Sequence, residues 1–415
     1  MDDDVNRRWV VRCCHLGMFI QAMVINLAPL LFIPLRNELG LTFEQLGRLI
    51  LVNFLTQMGV DLICTGLADR MSARWLTVAA NMFAAAGLVW FAVGSLSPDF
   101  AYAHLMAGTV LFSIGCGLLE VLLSPIIHAV SSERKAGAMA LLHAFYPIGK
   151  VAVIVVTGLA MYRVGVEHWR GLMLMWAVVP LLNTVGFLLV RLPPLAEPGR
   201  RQRMRELVGI PAYMWTVAAM IFAGATEVTL AQWTSAYAER ALGYSKVVAD
   251  VVGFGLFGLG MVAGRLWFGF KGEGEHLRGW MLAGCLGSAA ACLVISLSPW
   301  PAVALGAGLF AGFFVSMLWP GVLSLAAARF PLAGASMFAL LAAGGDFGCG
   351  LMPWLMGVLA DQASILPAAW LHLFGQPLTP EQFGLRLGIL VTSLCPIVLI
   401  FLLARFHQTR PGSLS

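Results

Sequence analysis

Twelve apolar runs, each long enough to cross a bilayer, dictate most of what this chain can fold into. They fall at about 10–35, 44–67, 75–96, 101–130, 136–162, 170–191, 212–238, 247–270, 277–297, 301–328, 333–360 and 383–405. A hydrocarbon core asks for roughly 20 apolar residues per helix. Backbone N–H and C=O groups at that depth must be bonded within the segment, so a run of this length spans as a helix. Charged residues make up 11% of the chain, against roughly a quarter in soluble domains. The fold class expected is an all-α membrane protein whose lipid bilayer is the first partner.

The minor features fit that class. Met1-Asp2-Asp3-Asp4 is acidic and the first apolar run is too long for a signal core, so the first span is expected to be retained. The net charge of +5 is spread in short clusters with no basic stripe, which argues against nucleic acid. The eight cysteines, Cys64, Cys116, Cys285 and Cys349 among them, show no metal-ligand spacing and are read as packing residues. No metal and no cofactor is expected. Basic residues crowd the loops on the N-terminal side, for example Arg70, Arg74, Arg134, Lys135, Arg200 and Arg201. By the positive-inside rule both termini are cytoplasmic, and the protein is expected in the cell inner membrane.

The second half repeats the first at an offset near 200. Leu39-Gly40-Leu41-Thr42 matches Leu242-Gly243-Tyr244-Ser245. Gly66 matches Gly264, and Pro125 matches Pro320. Gly137-Ala138-Met139-Ala140-Leu141-Leu142 resembles Gly334-Ala335-Ser336-Met337-Phe338-Ala339-Leu340-Leu341. The shared order implies two pseudo-symmetric six-helix bundles: residues 1–191, a cytoplasmic linker at 192–211, and residues 212–415. Repeated bundles around a midplane site are an architecture of secondary transporters.

Between spans two and three the chain reads Gly66-Leu67-Ala68-Asp69-Arg70-Met71-Ser72-Ala73-Arg74-Trp75. This resembles the signature of the major facilitator superfamily. The resemblance implies a gating latch built from Asp69, Arg70 and Arg74, with Arg265 after Gly264 as the matching residue of the second half. The bland alternative is a solvated loop with positive-inside charge. Span four, Gly115-Cys116-Gly117-Leu118-Leu119-Glu120, looks like the fourth span of the fucose permease-like branch, the fucose–galactose–glucose proton symporters. Gly224-Ala225-Thr226-Glu227 with Gln232-Trp233, Gly253-Phe254-Gly255-Leu256-Phe257 with Gly264-Arg265, and Gly344-Gly345 look like that branch too. There the glutamate matching Glu120 serves substrate binding and proton coupling. The chain departs from the branch in two places. Ile25 stands, before Pro29, where the best-known member has an aspartate, and Lys150 sits in span five.

A charge at bilayer depth costs roughly 3 kcal/mol unless paired or hydrated, so each one asks for a partner. Five stand out: Asp61, Glu120, Lys150, Glu227 and Asp346. Glu120 is read as proton carrier or substrate acceptor with Lys150 beside it, or as half of a fixed ion pair. Asp346 is read as a second proton-coupling or substrate group, or as a packed acid; Asp346 is also the first residue to test for sodium coupling. Glu227, Gln232 and Trp233 suit a polar ligand, the indole stacking on a sugar ring, although Trp233 is equally read as an interfacial anchor. Asp61 lies eight residues before Asp69 and is placed with the gate. Gln21, Asn26, Asn53, Gln57 and Tyr146 complete the substrate-binding candidates, with His143 a weaker one.

The function expected is solute transport by alternating access, coupled to protons or sodium, without covalent chemistry. The expected solute is a small polar molecule, a sugar first and an organic anion second. The expected state is a monomer. No nucleophile turn, phosphate loop or metal cluster supports an enzyme. A transporter-like receptor that carries nothing stays as the alternative of another class.

Overall fold

The computed structural model describes residues 3–67, 72–94, 100–130, 135–192, 204–271, 277–330, 334–365 and 378–408. The described part is 93% helical and contains no strand. Twelve helical segments are long and apolar enough to cross a membrane, from Asp3–Leu30 to Pro380–Arg405, in register with the twelve runs of the sequence. Large apolar side chains such as Leu182, Leu189, Phe310 and Phe401 are well exposed on the helix surfaces. An apolar surface of this extent is a lipid-facing one.

The chain forms two compact units. Unit 1 holds Met1–Leu41 and Val52–Gly199; unit 2 holds Thr42–Leu51 and Arg200–Ser415. The first ten residues of span two cluster with unit 2.

Within unit 1 the helices are α1 (Asp3–Leu30), α2 (Phe32–Leu39), most of α3 (Phe43–Leu67), α4 (Ala73–Gly94), α5 (Ala101–Val130), α6 (Lys135–Val164) and α7 (Trp169–Leu189). Helix α1 packs on α5, α6 and α7, and α4 packs on α5 and α7. Polar side chains tie these contacts from within: Asn183 donates to Asn81 at 3.0 Å and Trp176 to Thr157 at 2.8 Å.

Unit 2 contains α8 (Met204–Val208), α9 (Pro211–Arg240), α10 (Gly255–Lys271), α11 (Leu277–Leu297), α12 (Pro301–Val315), α13 (Leu318–Arg329), α14 (Gly334–Gln362), α15 (Pro380–Thr392) and α16 (Leu394–Gln408). Helix α9 packs on α14 and α16, and α12 packs on α10 and α11. Backbones approach closely here because small residues line the crossings. A Cβ on Gly348 would overlap the carbonyl oxygen of Ile221 and sit 3.1 Å from the nitrogen of Ala225.

Among the described residues the twelve runs become fifteen α-helices for a local reason, and α8 is a sixteenth, short helix ahead of span seven. Spans one, ten and twelve are interrupted at Leu31, at Ser316–Met317 and at Ser393. Each interruption lies three to four residues before a proline: Pro34, Pro320 and Pro396. A proline ring excludes the carbonyl four residues back and supplies no N–H to it. The repeat is therefore not exact, since Pro125 sits inside an unbroken α5 while its match Pro320 follows a break. A wide π-helical turn at Val248–Phe254 opens span eight.

Helix α2 is pinned to the start of α7. Trp169 Nε1 donates to Glu38 Oε2 at 2.6 Å and Arg170 Nη1 to Glu38 Oε1 at 2.5 Å. Burial on its own would raise the Glu38 carboxyl. The two hydrogen bonds and the Arg170 charge outweigh it and hold the group below its ordinary value. A carboxylate with a depressed folded pKa stabilises above its unfolded pKa of about 4.3, and the contribution fades as pH falls through the lower folded value. Glu38 is about two-fifths exposed, so solvent screening keeps the effect to roughly 0.5 kcal/mol. Glu38→Gln is expected to melt slightly below the parent protein at pH 7, with the gap closing toward pH 3, as followed by differential scanning fluorimetry.

Candidate functional site: buried polar clusters in the two units

In unit 1 the acids come together. Glu120 on α5 accepts a hydrogen bond from Gln21 Nε2 on α1 at 2.8 Å. Asp61 on α3 brings a carboxylate oxygen within 4.8 Å of one on Glu120. Asp61 is 2% exposed, so it is a membrane-interior acid beside Glu120. The sequence placed it with the gate. The approach of α5 to α3 uses Gly117, whose missing Cβ would sit 3.3 Å from the Gln57 Cα.

The amides sort into two kinds. Asn53 accepts from Gln57 Nε2 at 3.2 Å and from Ser113 Oγ at 2.6 Å, a buried network joining α3 and α5. Asn26 donates back to the carbonyl of Ala22 in its own helix at 2.7 Å, which spends that donor locally. Lys150 on α6 is 3% exposed. Tyr146 is half-buried on the same helix, and His143 is exposed.

Unit 2 holds a second cluster. Glu227 on α9 and Arg265 on α10 form an ion pair at 3.3 Å. Their expected roles are separate, substrate binding for Glu227 and gating for Arg265. The other oxygen of Glu227 is buried and accepts no hydrogen bond among the described residues. Gln232 and Asp346 are buried, on α9 and α14. Trp233 is neither exposed for stacking nor at an interface. Its ring is fully buried, its indole N–H donates to the Pro353 carbonyl at 3.0 Å, and its ring edge meets Phe43.

Of the expected gating residues, Arg74 is half-buried in the first turn of α4, while Asp69 and Arg70 lie outside the described residues. One buried acid was missed. Asp250 sits in the π-helical turn, fully buried, and accepts from Lys246 Nζ at 2.5 Å and from Ser235 Oγ. The spacing of four between Lys246 and Asp250 was the available signal. Lys246 falls one residue before the run at 247–270 and Asp250 within its first turn.

These are the features of a polytopic helical membrane protein of the transporter type: twelve spans with acids, amides and cations kept inside them. The major facilitator superfamily model matches residues 14–273, more than half of the chain. The chain belongs to the major facilitator superfamily.

Comparison with solved structures agrees. A bacterial homologue of the human lysosomal transporter Spinster is 15% identical with a TM-score of 0.77, covering 97% of each chain. The fucose:proton symporter of E. coli is 16% identical with a TM-score of 0.65, covering 96% of this chain and 98% of that one. A nucleoside transporter is 11% identical with a TM-score of 0.70, covering 98% of this chain and all of the other. At these identities the likeness is one of fold. The comparison with curated proteins returned no match.

Proposed function

We propose that this protein is a proton-coupled secondary transporter of a small polar solute, a sugar first, working by alternating access in the inner membrane with both termini cytoplasmic. The observation that supports it is the Gln21–Glu120–Asp61 cluster. Two carboxylates this close inside a membrane cannot both hold a charge cheaply. One proton between them relieves the repulsion, and releasing it restores a charge that changes the preferred state. That is a coupling element in physical terms. The amides of Gln57 and Asn53 beside it offer the donors and acceptors that recognise hydroxyl groups. The likeness in fold to a fucose:proton symporter supports the sugar class.

A second reading has its own support. Lys150 is a cation buried inside span five, and a positive charge at that depth suits a carboxylated solute. Uptake into proteoliposomes under an imposed pH gradient, with sugars, nucleosides and organic acids in parallel, decides between them. Sugar accumulation that collapses with the gradient is the expected result. Accumulation of organic acids alone moves the assignment to the second reading. Dependence on sodium at fixed pH removes the proton, and no accumulation of any solute leaves a receptor.

A further inference from the structure

The start of α1 and the end of α7 meet in unit 1 through one side chain. Asn6 Nδ2 donates to the Arg191 carbonyl at 2.9 Å, and Arg191 N donates back to Asn6 Oδ1 at 2.8 Å. An amide paired with both backbone polar groups of one residue fixes where Arg191 leaves the helix. Beside this pairing is an open cavity of about 270 Å³, lined by Asn6, Arg7, Ala129, Val130, Arg191 and Leu192. The lining carries positive charge from its two arginines and no negative charge. Asp3 and Asp4 stand in the first turn of α1 and do not line it. The guanidinium groups of Arg7 and Arg191 have no hydrogen-bond or ion-pair partner among the described residues. Ala129 and Val130 end α5 and offer carbonyl oxygens, so the attraction for an anion comes from the arginines.

Neighbouring side chains set the depth of this cavity in the bilayer. Trp9 lies less than one helical turn beyond Asn6. It is half exposed, and the Arg12 guanidinium stands over its ring at 5.1 Å. An exposed indole with a charged neighbour marks the headgroup level of a membrane. On α7, Leu182, Val185 and Leu189 are exposed at helical spacing, a lipid-facing stripe that ends just before Arg191. The cavity therefore opens where apolar helix surface gives way to charge. The second half carries a similar marker: Trp215, which matches Trp9 at close to the repeat offset, is half exposed with Arg405 over its ring at 6.0 Å.

We propose that this corner of unit 1 binds an anionic phospholipid, its phosphate held between Arg7 and Arg191 and its acyl chains along the exposed stripe of α7. A guanidinium suits a phosphate because its N–H groups form a planar fork that donates two bonds at once. A basic hollow at the ends of membrane helices, level with the headgroups, favours charged lipids over zwitterionic ones. A soluble phosphate would meet the same two arginines, but only a lipid also covers Val185 and Leu189. Bound there, the lipid bridges α1 and α7 and adds to the Asn6 tie. The site is separate from the buried polar clusters and does not depend on the transport reading.

Native mass spectrometry of the full-length protein, released from detergent and titrated with phosphatidylglycerol, reads the occupancy. Retention of one phosphatidylglycerol is the expected result, with phosphatidylethanolamine held roughly tenfold more weakly. Arg7→Ala and Arg191→Ala are each expected to weaken retention about fivefold, and the pair about thirtyfold. Asn6→Ala keeps both charges and is expected to weaken retention because Arg191 loses its placement. A diffuse positive surface would not respond to that change, so unaltered retention by Asn6→Ala overturns the built site. Arg163→Ala, in the last turn of α6, is expected to change nothing. Should the double variant fail to fold, the single variants carry the test. Equal retention by the parent and the arginine variants overturns the site. Equal retention of the two lipids, or displacement of lipid by millimolar inorganic phosphate, overturns the assignment to an anionic lipid.

Discussion

Proteoliposomes carrying Glu120→Gln are expected to lose all uphill accumulation while still equilibrating solute. Two pH units supply about 2.7 kcal/mol per proton, a hundredfold accumulation ratio for one proton per solute. Glutamine keeps the size and still bonds the Gln21 side chain, so the α1–α5 contact survives. It carries no titrating proton, so the ratio falls to about one. Downhill exchange separates this from a dead protein, because exchange needs the site but not the gradient. Asp61→Asn is expected to act in the same direction, since removing either acid ends the sharing of a proton between them. Full accumulation by Glu120→Gln would remove the coupling role from this cluster.

Gly348→Leu is expected to be the most destabilising single change in unit 2. The α9–α14 crossing brings the Ile221 carbonyl to the position a Cβ would occupy. A carbonyl oxygen bonded within its own helix cannot retreat as the end of a side chain can. The helices must separate, and the small-residue contact that drives their association in lipid goes with it. Overpacking of this kind costs about 3 kcal/mol. The readout is a melting temperature lower by several degrees in detergent, with less monodisperse protein on size exclusion. Gly306→Leu is the control, because nothing lies within 4 Å of a Cβ there. Equal melting of the two variants would show that the crossing relaxes freely.

Hydropathy alone located the twelve spans, because a bilayer turns length and apolarity into structure with few alternatives. It did not locate the interruptions. Pro29, Pro125 and Pro147 sit inside continuous helices while Pro34, Pro320 and Pro396 follow breaks, and only packing around each one distinguishes them. At the site, residue chemistry marked which groups are interior: Asp61, Lys150, Glu227 and Asp346 are all buried. Partner choice was not legible. Glu120 meets Gln21 and Asp61, and Glu227 meets Arg265, through helix rotations that no one-dimensional spacing encodes.

Arg386 shows the same limit from the other side. Near the start of the run at 383–405, it is buried and donates to the carbonyls of Ser296 and Ser298 at the end of α11. A cation there complements the helix dipole and satisfies carbonyls the helix leaves open.

Span two, whose first residues cluster with unit 2, is capped at long range by Asp361 near the end of α14, and this sets a schedule for biosynthesis. Phe43 and Glu44 are made 318 and 317 residues ahead of the carboxylate that receives their N–H groups. At roughly 5–20 residues per second, the ribosome reaches Asp361 about 15 to 60 s later. Through that interval the Phe43 and Glu44 N–H groups at the first turn of α3 depend on water or lipid headgroups. Completion of the first turn of α3 is therefore a late event, timed by the emergence of the eleventh span.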